Sequence, residues 1–199
     1  MRTRLLSLEE IQNQLSLKLA KVPQGIRDEF SNLSLNSSNL SSSDICQIEN
    51  SLETTLPSIF TATILKYDFG DSSIGNIWFG RLAKYSSWLM SRNSLELPFC
   101  WWGEGNRPTN IIKIAETDGY ILLLETQSEE ILSFRRSGEW KNSEVVAKDF
   151  ELFVRLAGTA YLNYDKPATE VELLEFKSVL GIGNIELPIF WADLLSGIT

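Results

Sequence analysis

The chain has 199 residues, of which 43% are hydrophobic and 22% charged, the composition of a globular protein with a sizeable core. It contains no histidine and two widely separated cysteines, Cys46 and Cys100, so it offers neither a Ser/His or Cys/His nucleophile pair nor a zinc-binding spacing. Its net charge of −8 disfavours binding to nucleic acid, because the phosphate backbone carries the same sign.

The sequence also argues against a membrane protein. It has no run of about 18 apolar residues, the length that a transmembrane helix needs. Glu9 and Glu10 follow Leu5 and Leu6 too closely for the apolar region of a secretory signal. We therefore expect a cytoplasmic protein with no membrane contact. The phosphate-binding and calcium-binding loop motifs are missing, so we expect no cofactor and no metal site.

The first part of the chain predicts helices separated by one polar loop. Apolar residues recur every three or four positions, and Ser7 with Glu10 makes the capping box that begins the first helix. Pro57 suits the first position of a later helix, and Gly70 ends its pattern. A run rich in Ser and Asn predicts the loop. The expected helices are 8–21, 44–56 and 57–70, and the expected loop is 31–44.

The middle of the chain predicts an antiparallel sheet. Three β-rich runs follow one another, and Asp118-Gly119 between the first two is a strong hairpin signal because glycine tolerates positive φ. Apolar residues occupy both faces of the middle run, which we place inside the sheet with helices on at least one face. Residues 81–95 fit either a short helix or a loop. The expected strands are 74–80, 110–116, 119–126 and 130–136.

The last part of the chain predicts helices that cover this sheet. An apolar stripe runs through 145–163. Thr169 and Glu172 form a second capping box, Gly181 ends that helix, and a short helix follows Pro188. Helices thus precede and follow the strands without alternating with them. The sequence predicts an α+β fold: an antiparallel-rich, mixed sheet with a β-meander, covered by helices from both ends of the chain.

In their order and spacing these elements resemble the SMI1/KNR4 superfamily, also called SUKH. The residues that carry the resemblance are Leu56-Pro57, Phe69-Gly70, Ile114-Ala115 before Asp118-Gly119, and Ala147 with Phe150 to Phe153. The resemblance covers residues 44–162, which we interpret as the core domain. Residues 1–43 are then an N-terminal helix with a Ser/Asn-rich loop, and 163–199 a helical extension that packs on the same domain.

The resemblance implies a binding protein and not an enzyme. Bacterial members of the superfamily are mostly immunity proteins that neutralise a cognate toxin, often a nuclease or deaminase, and fungal members are scaffolds in cell-wall signalling. We expect an immunity protein that occludes its toxin and is a monomer or weak dimer. The alternatives are a scaffold for an endogenous partner and, from another class, a small-molecule-binding protein or carboxylate-dependent enzyme using Glu104, Asp118 or Glu125 beside Trp102.

Tryptophans and carboxylates are the candidate contact residues. If the segment around Trp101 and Trp102 is extended, one ring points away from the core; otherwise flanking segments cover both. Segments 104–130 and 165–193 each have six acidic and two basic residues, which favours a basic partner but is also typical of a solvated helix face. The predicted partner-binding residues are Trp78, Trp101, Trp102, Glu104, Glu116 and Asp118.

Overall fold

The computed structural model describes residues 4–25, 32–94, 100–164, 167–181 and 186–197. Its helices are α1 Leu8–Ala20, α2 Ser42–Leu52, α3 Ser58–Lys66, α4 Tyr85–Arg92, α5 Phe150–Asn163, α6 Glu170–Leu180 and α7 Ile189–Ser196. Its strands are β1 Asn36–Ser37, β2 Tyr67–Asp68, β3 Ser72–Ile74, β4 Ile77–Phe79, β5 Ile111–Glu116, β6 Tyr120–Glu125, β7 Ile131–Arg135 and β8 Glu144–Ala147. The predicted α+β fold is confirmed.

The main sheet is an antiparallel meander of six strands, β3 to β8, whose spatial order follows the chain order. Strands β5, β6 and β7 confirm the three predicted runs to within a residue or two. The prediction of a single strand at 74–80 is wrong. These residues form most of the hairpin β3–β4, because Gly75 takes a positive φ of 60° and the chain reverses there. In the ambiguous region 81–95, residues 85–92 form helix α4.

The start of the predicted helix 145–163 is also corrected, because strand β8 occupies residues 144–147. The β-branched pair Val145 and Val146 suits a strand as well as a helical stripe. Helix α5 begins only at Phe150, where the Asp149 carboxylate accepts a hydrogen bond from the backbone N–H of Leu152. A capping residue therefore marked the true boundary, and the apolar spacing did not.

The helix starts follow the capping signals. Both predicted capping boxes are present, at Ser7 and at Thr169. Helix α2 begins two residues before the predicted start, because Ser41 supplies a capping box of its own. Helix α3 ends at Lys66 and not near Gly70, since the chain then turns into β2, which pairs with β1 inside the expected loop 31–44.

One face of the sheet carries the large core. The β6 side chains Tyr120, Leu122 and Leu124 point into it, and buried side chains from all seven helices join it. Helices α1 and α5 approach so closely that a Cβ added to Gly158 would lie 2.5 Å from Ile11 Cδ1. The core therefore contains residues from the N-terminal, middle and C-terminal parts of the chain.

The opposite face carries a second, smaller cluster. Ile121 and Leu123 of β6 point into it, which confirms that both faces of the middle strand are apolar. Trp101 and Trp102, in the segment before β5, pack on this face. This second face carries the candidate site.

No helix in the described ranges is both long and apolar enough to cross a membrane.

Candidate functional site

A β-bulge in β5 decides which side chains reach the second face. The pairing of β5 with β6 shifts register between Lys113 and Ala115, and Ile114 and Ala115 both point into the large core. In a regular strand, residues three apart point to opposite faces. The extra residue of the bulge reverses the alternation, so Lys113 and Glu116 lie on the same face.

Glu116 is the centre of a buried ion network. Its Oε2 atom lies 2.5 Å from Lys113 Nζ and 2.7 Å from a terminal nitrogen of Arg136. The Glu116 side chain is 10% exposed and that of Lys113 is 7% exposed. Burial acts to raise the pKa of Glu116, but the charges and hydrogen bonds of its two partners outweigh burial and leave that pKa lowered. Glu116 is therefore an ionised carboxylate whose Oε2 atom contacts two cations.

Trp101 and Trp102 lie in a turn and not on a strand. The turn allows both rings to pack on the sheet, 5.3 Å apart and edge to face, with exposures of 8% and 5%. Trp101 Nε1 donates to Asn93 Oδ1 at 3.1 Å, and Trp102 Nε1 donates to the Gly105 carbonyl at 3.0 Å. Of the two alternatives, an extended segment with one ring pointing away and two covered rings, the structure has the second: flanking segments cover most of both rings.

A depression of about 970 Å³ lies on this face, and all six predicted contact residues line it. Trp78 of β4 is half-buried, and the Arg81 guanidinium lies 4.8 Å from the centre of its ring. Glu104 and Asp118 are exposed on loops. A row of paired residues crosses the floor of the depression from strand to strand: Trp78, Glu116, Ile121 and Phe134.

The depression also contains charged residues that are not among the predicted contact residues. Its basic residues outnumber its acidic residues by five to four, so it is not the acidic surface that the sequence predicted. The remainder of the chain then has a charge of −9, since the total is −8. Glu116 is not free to meet a basic partner, because it already contacts two cations. The basic residues are Arg81, Arg92, Lys113, Arg136 and Lys141, and the acidic residues are Glu104, Glu116, Asp118 and Glu139.

The carboxylates considered for an enzyme do not form one group. Glu125 lies outside the depression, where it accepts hydrogen bonds from the backbone N–H groups of Gln127 and Ser128 and holds the β6–β7 turn. Glu104 and Asp118 line the depression, as Trp102 does. Within the described ranges, no group of three or more Cys, Asp or Glu residues could hold a metal ion.

Comparison with known proteins adds no assignment. The chain matches no protein-family model, and no curated protein matches it either. The resemblance to the SMI1/KNR4 superfamily thus rests on the sequence features given above.

Proposed function

We propose that this chain is a non-catalytic binding protein, specifically an immunity protein that binds a cognate toxin and blocks it by occlusion. The observation that carries the proposal is the depression on the second face of the sheet. Four tryptophan side chains, those of Trp78, Trp101, Trp102 and Trp140, line it together with nine charged side chains. Tryptophan and arginine are, with tyrosine, the residues most enriched at the energetic centres of protein interfaces.

The state of the central carboxylate supports binding over catalysis. A general base works best with a pKa near the working pH. Glu116 has a lowered pKa, and one of its oxygens contacts both Lys113 and Arg136. Those contacts hold the side chain in place as part of the floor of the depression. The arrangement suits a rigid, preorganised contact surface.

The charges suggest how such a partner would approach and dock. The whole molecule is strongly negative, which attracts a protein of net positive charge over a distance of about one Debye length, ~8 Å at physiological salt. The depression itself has both signs, so the docked partner would meet it with both basic and acidic residues. A bacterial toxin as the partner follows from the family resemblance.

Co-expression with the product of the neighbouring reading frame tests this proposal. The product alone should arrest growth of the host, and the wild-type chain should restore growth and co-purify with the product. An unrelated toxin from another locus is the control, because occlusion by a cognate surface should not rescue it. Growth arrest that the chain does not relieve, or a neighbouring product that is harmless, would contradict the proposal.

A second candidate function is the binding of a small molecule. The volume of the depression falls within the range of about 300–1,000 Å³ that ligand sites occupy. A thermal-shift screen against metabolites is the test, because a ligand at 100 times its dissociation constant adds about 2.7 kcal/mol to the stability of the folded state. A reproducible shift that Trp78→Ala abolishes would favour this candidate over a protein partner.

A further inference from the structure

Leu82 has an unusual position next to the depression. It follows Arg81 directly, and at 86% exposure it is the most exposed large hydrophobic residue in the described ranges. Its φ of 58° lies in the left-handed region, which glycine, asparagine and aspartate adopt readily and other residues adopt at a cost of roughly 1 to 2 kcal/mol. In the free protein, Leu82 is therefore unfavourable in both its backbone and its side chain.

The surrounding loop is held tightly in this conformation. The Leu82 N–H donates to Asp71 Oδ1 at 2.8 Å, and the Asp71 N–H donates to the carbonyls of Gly80 and Ala83 at 2.9 and 3.1 Å. A Cβ at Gly80 would lie 2.7 Å from the Phe69 carbonyl oxygen, so the two chain segments are in close backbone contact. The leucine is thus presented on a rigid loop, which lowers the entropy cost of binding through it.

The charge next to Leu82 is that of Arg81, and it has no counter-charge in the part of the chain that the structure describes. Arg81 is exposed, stacks on Trp78 and makes no ion pair with any residue in the described ranges. Burial is the main cause of the lowered pKa of Lys113; Glu116 opposes it, and the charges of Arg136 and Arg92, which line the same depression, add to it. The lining of the depression has one more basic than acidic residue, and a carboxylate of the partner would complement the charge of Arg81 beside Leu82.

We propose that Leu82 is the apolar anchor of the partner interface, and that the partner presents an apolar socket bordered by carboxylates that reach Arg81. This inference rests on the proposed function and names the part of the toxin that would dock. A projecting leucine needs a concave protein surface, whereas a small ligand would occupy the depression and leave Leu82 in water. An anionic membrane is disfavoured, because a molecule with a net charge of −8 is repelled by it.

The test compares Leu82→Asn with Leu174→Asn in binding to the product of the neighbouring reading frame, measured by biolayer interferometry. Asparagine keeps the left-handed backbone and removes only the apolar anchor. Leu174 is a matched control, since it is 67% exposed on α6 and does not line the depression. We expect Leu82→Asn to weaken binding at least tenfold, and Leu174→Asn to change it less than twofold.

Two further measurements complete the test. Arg81→Gln should weaken binding threefold or more at low salt and less at high salt, because it removes a charge contact. The thermal midpoint of Leu82→Asn should equal or exceed that of the wild type; a lower midpoint would mean that Leu82 serves the free fold and would overturn the inference. Wild-type binding that Leu82→Asn leaves unchanged overturns this inference alone, whereas failure of the wild type to bind overturns the proposed function and this inference with it.

Discussion

Lys113 and Glu116 lie three residues apart on one strand, yet their side chains meet on the same face of the sheet, 2.5 Å apart. The bulge between them makes this possible, and Arg136 adds a second cation to the same carboxylate. The network lies on the floor of the depression. It therefore connects the stability of the fold with the shape of the candidate site.

Replacing Glu116 should destabilise the protein severely. Glu116→Gln leaves Lys113 buried without a counter-charge, and breaking a buried pair in this way costs about 3 kcal/mol. Urea unfolding followed by tryptophan fluorescence measures the effect. Glu139→Gln is the matched control, because Glu139 is exposed at the rim of the same depression and should change the free energy of unfolding by less than about 0.5 kcal/mol. Equal stability of the two variants would contradict the ion network.

The same network predicts a pH dependence. Because the pKa of Glu116 is lower in the folded than in the unfolded state, the unfolded state binds more protons at acidic pH. The stability that Glu116 contributes is present above its unfolded pKa of about 4.5 and is lost as the pH falls below that value. We expect the wild type to lose more stability than Glu116→Gln between pH 7 and pH 3.

The other acidic contributions should cancel in that comparison. Hydrogen bonds from Lys66 and from Arg4 lower the pKa values of Glu9 and Glu10, respectively, to about 2, and both variants retain these pairs. The difference between the two pH profiles thus reports on Glu116. Parallel profiles across the acid range would show that Glu116 has the same pKa folded and unfolded.

The contact between Gly158 and Ile11 tests whether the N-terminal helix is part of the core. Gly158→Ala should cost about 2 kcal/mol, because its Cβ would overlap the buried Ile11 side chain. Ile11→Val removes the nearest atom, Cδ1, so the double variant should lose at least about 0.5 kcal/mol less than the sum of the single variants. Gly25→Ala is the control, since a Cβ there meets nothing within 4 Å. Strict additivity would contradict this packing.

Strand β8 caps the last helix from a distance in sequence. The Glu144 carboxylate accepts hydrogen bonds from the N–H groups of Ile189 and Phe190, at 3.0 and 2.8 Å, where α7 begins without a side-chain cap of its own. Glu144→Ala should cost about 1 to 2 kcal/mol in the free energy of unfolding, measured with urea. Glu139→Ala, in the loop that leads into β8, should cost less than half as much. A negligible effect of Glu144→Ala would show that α7 does not depend on this cap.

Local signals in the sequence predicted much of the fold. The capping boxes at Ser7 and Thr169 and the Asp118-Gly119 hairpin act over a few residues, so they can be recognised from the sequence. The sequence predicts one strand where the hairpin β3–β4 lies, because the two arms are three residues each, too short to show a separate pattern. No local pattern in the sequence indicates the bulge at Ile114. Its neighbours are Lys113, whose long side chain suits either face of a sheet, and Ala115, which is small and apolar.

The sequence predicted most of the tryptophans and carboxylates that line the depression, but it did not predict the net charge of that lining. The tryptophans and carboxylates were found because residue type alone marks them as contact candidates. Four of the basic residues come from two other segments, Arg81 and Arg92 from one and Arg136 and Lys141 from another, so the charge of segment 104–130 does not include them. Only the tertiary fold brings them together. The net charge of a sequence segment therefore has the opposite sign to the net charge of this surface.

The most direct test of the account is the affinity of Trp78→Ala for the product of the neighbouring reading frame, measured by titration calorimetry. Trp78 is half-buried in the depression and carries the stacked Arg81, so we expect its removal to weaken binding at least tenfold while the protein remains folded. Leu17→Ala, a change at a 62% exposed leucine of α1, should leave the dissociation constant unchanged. Wild-type affinity in Trp78→Ala would contradict the central claim that the depression is the partner surface.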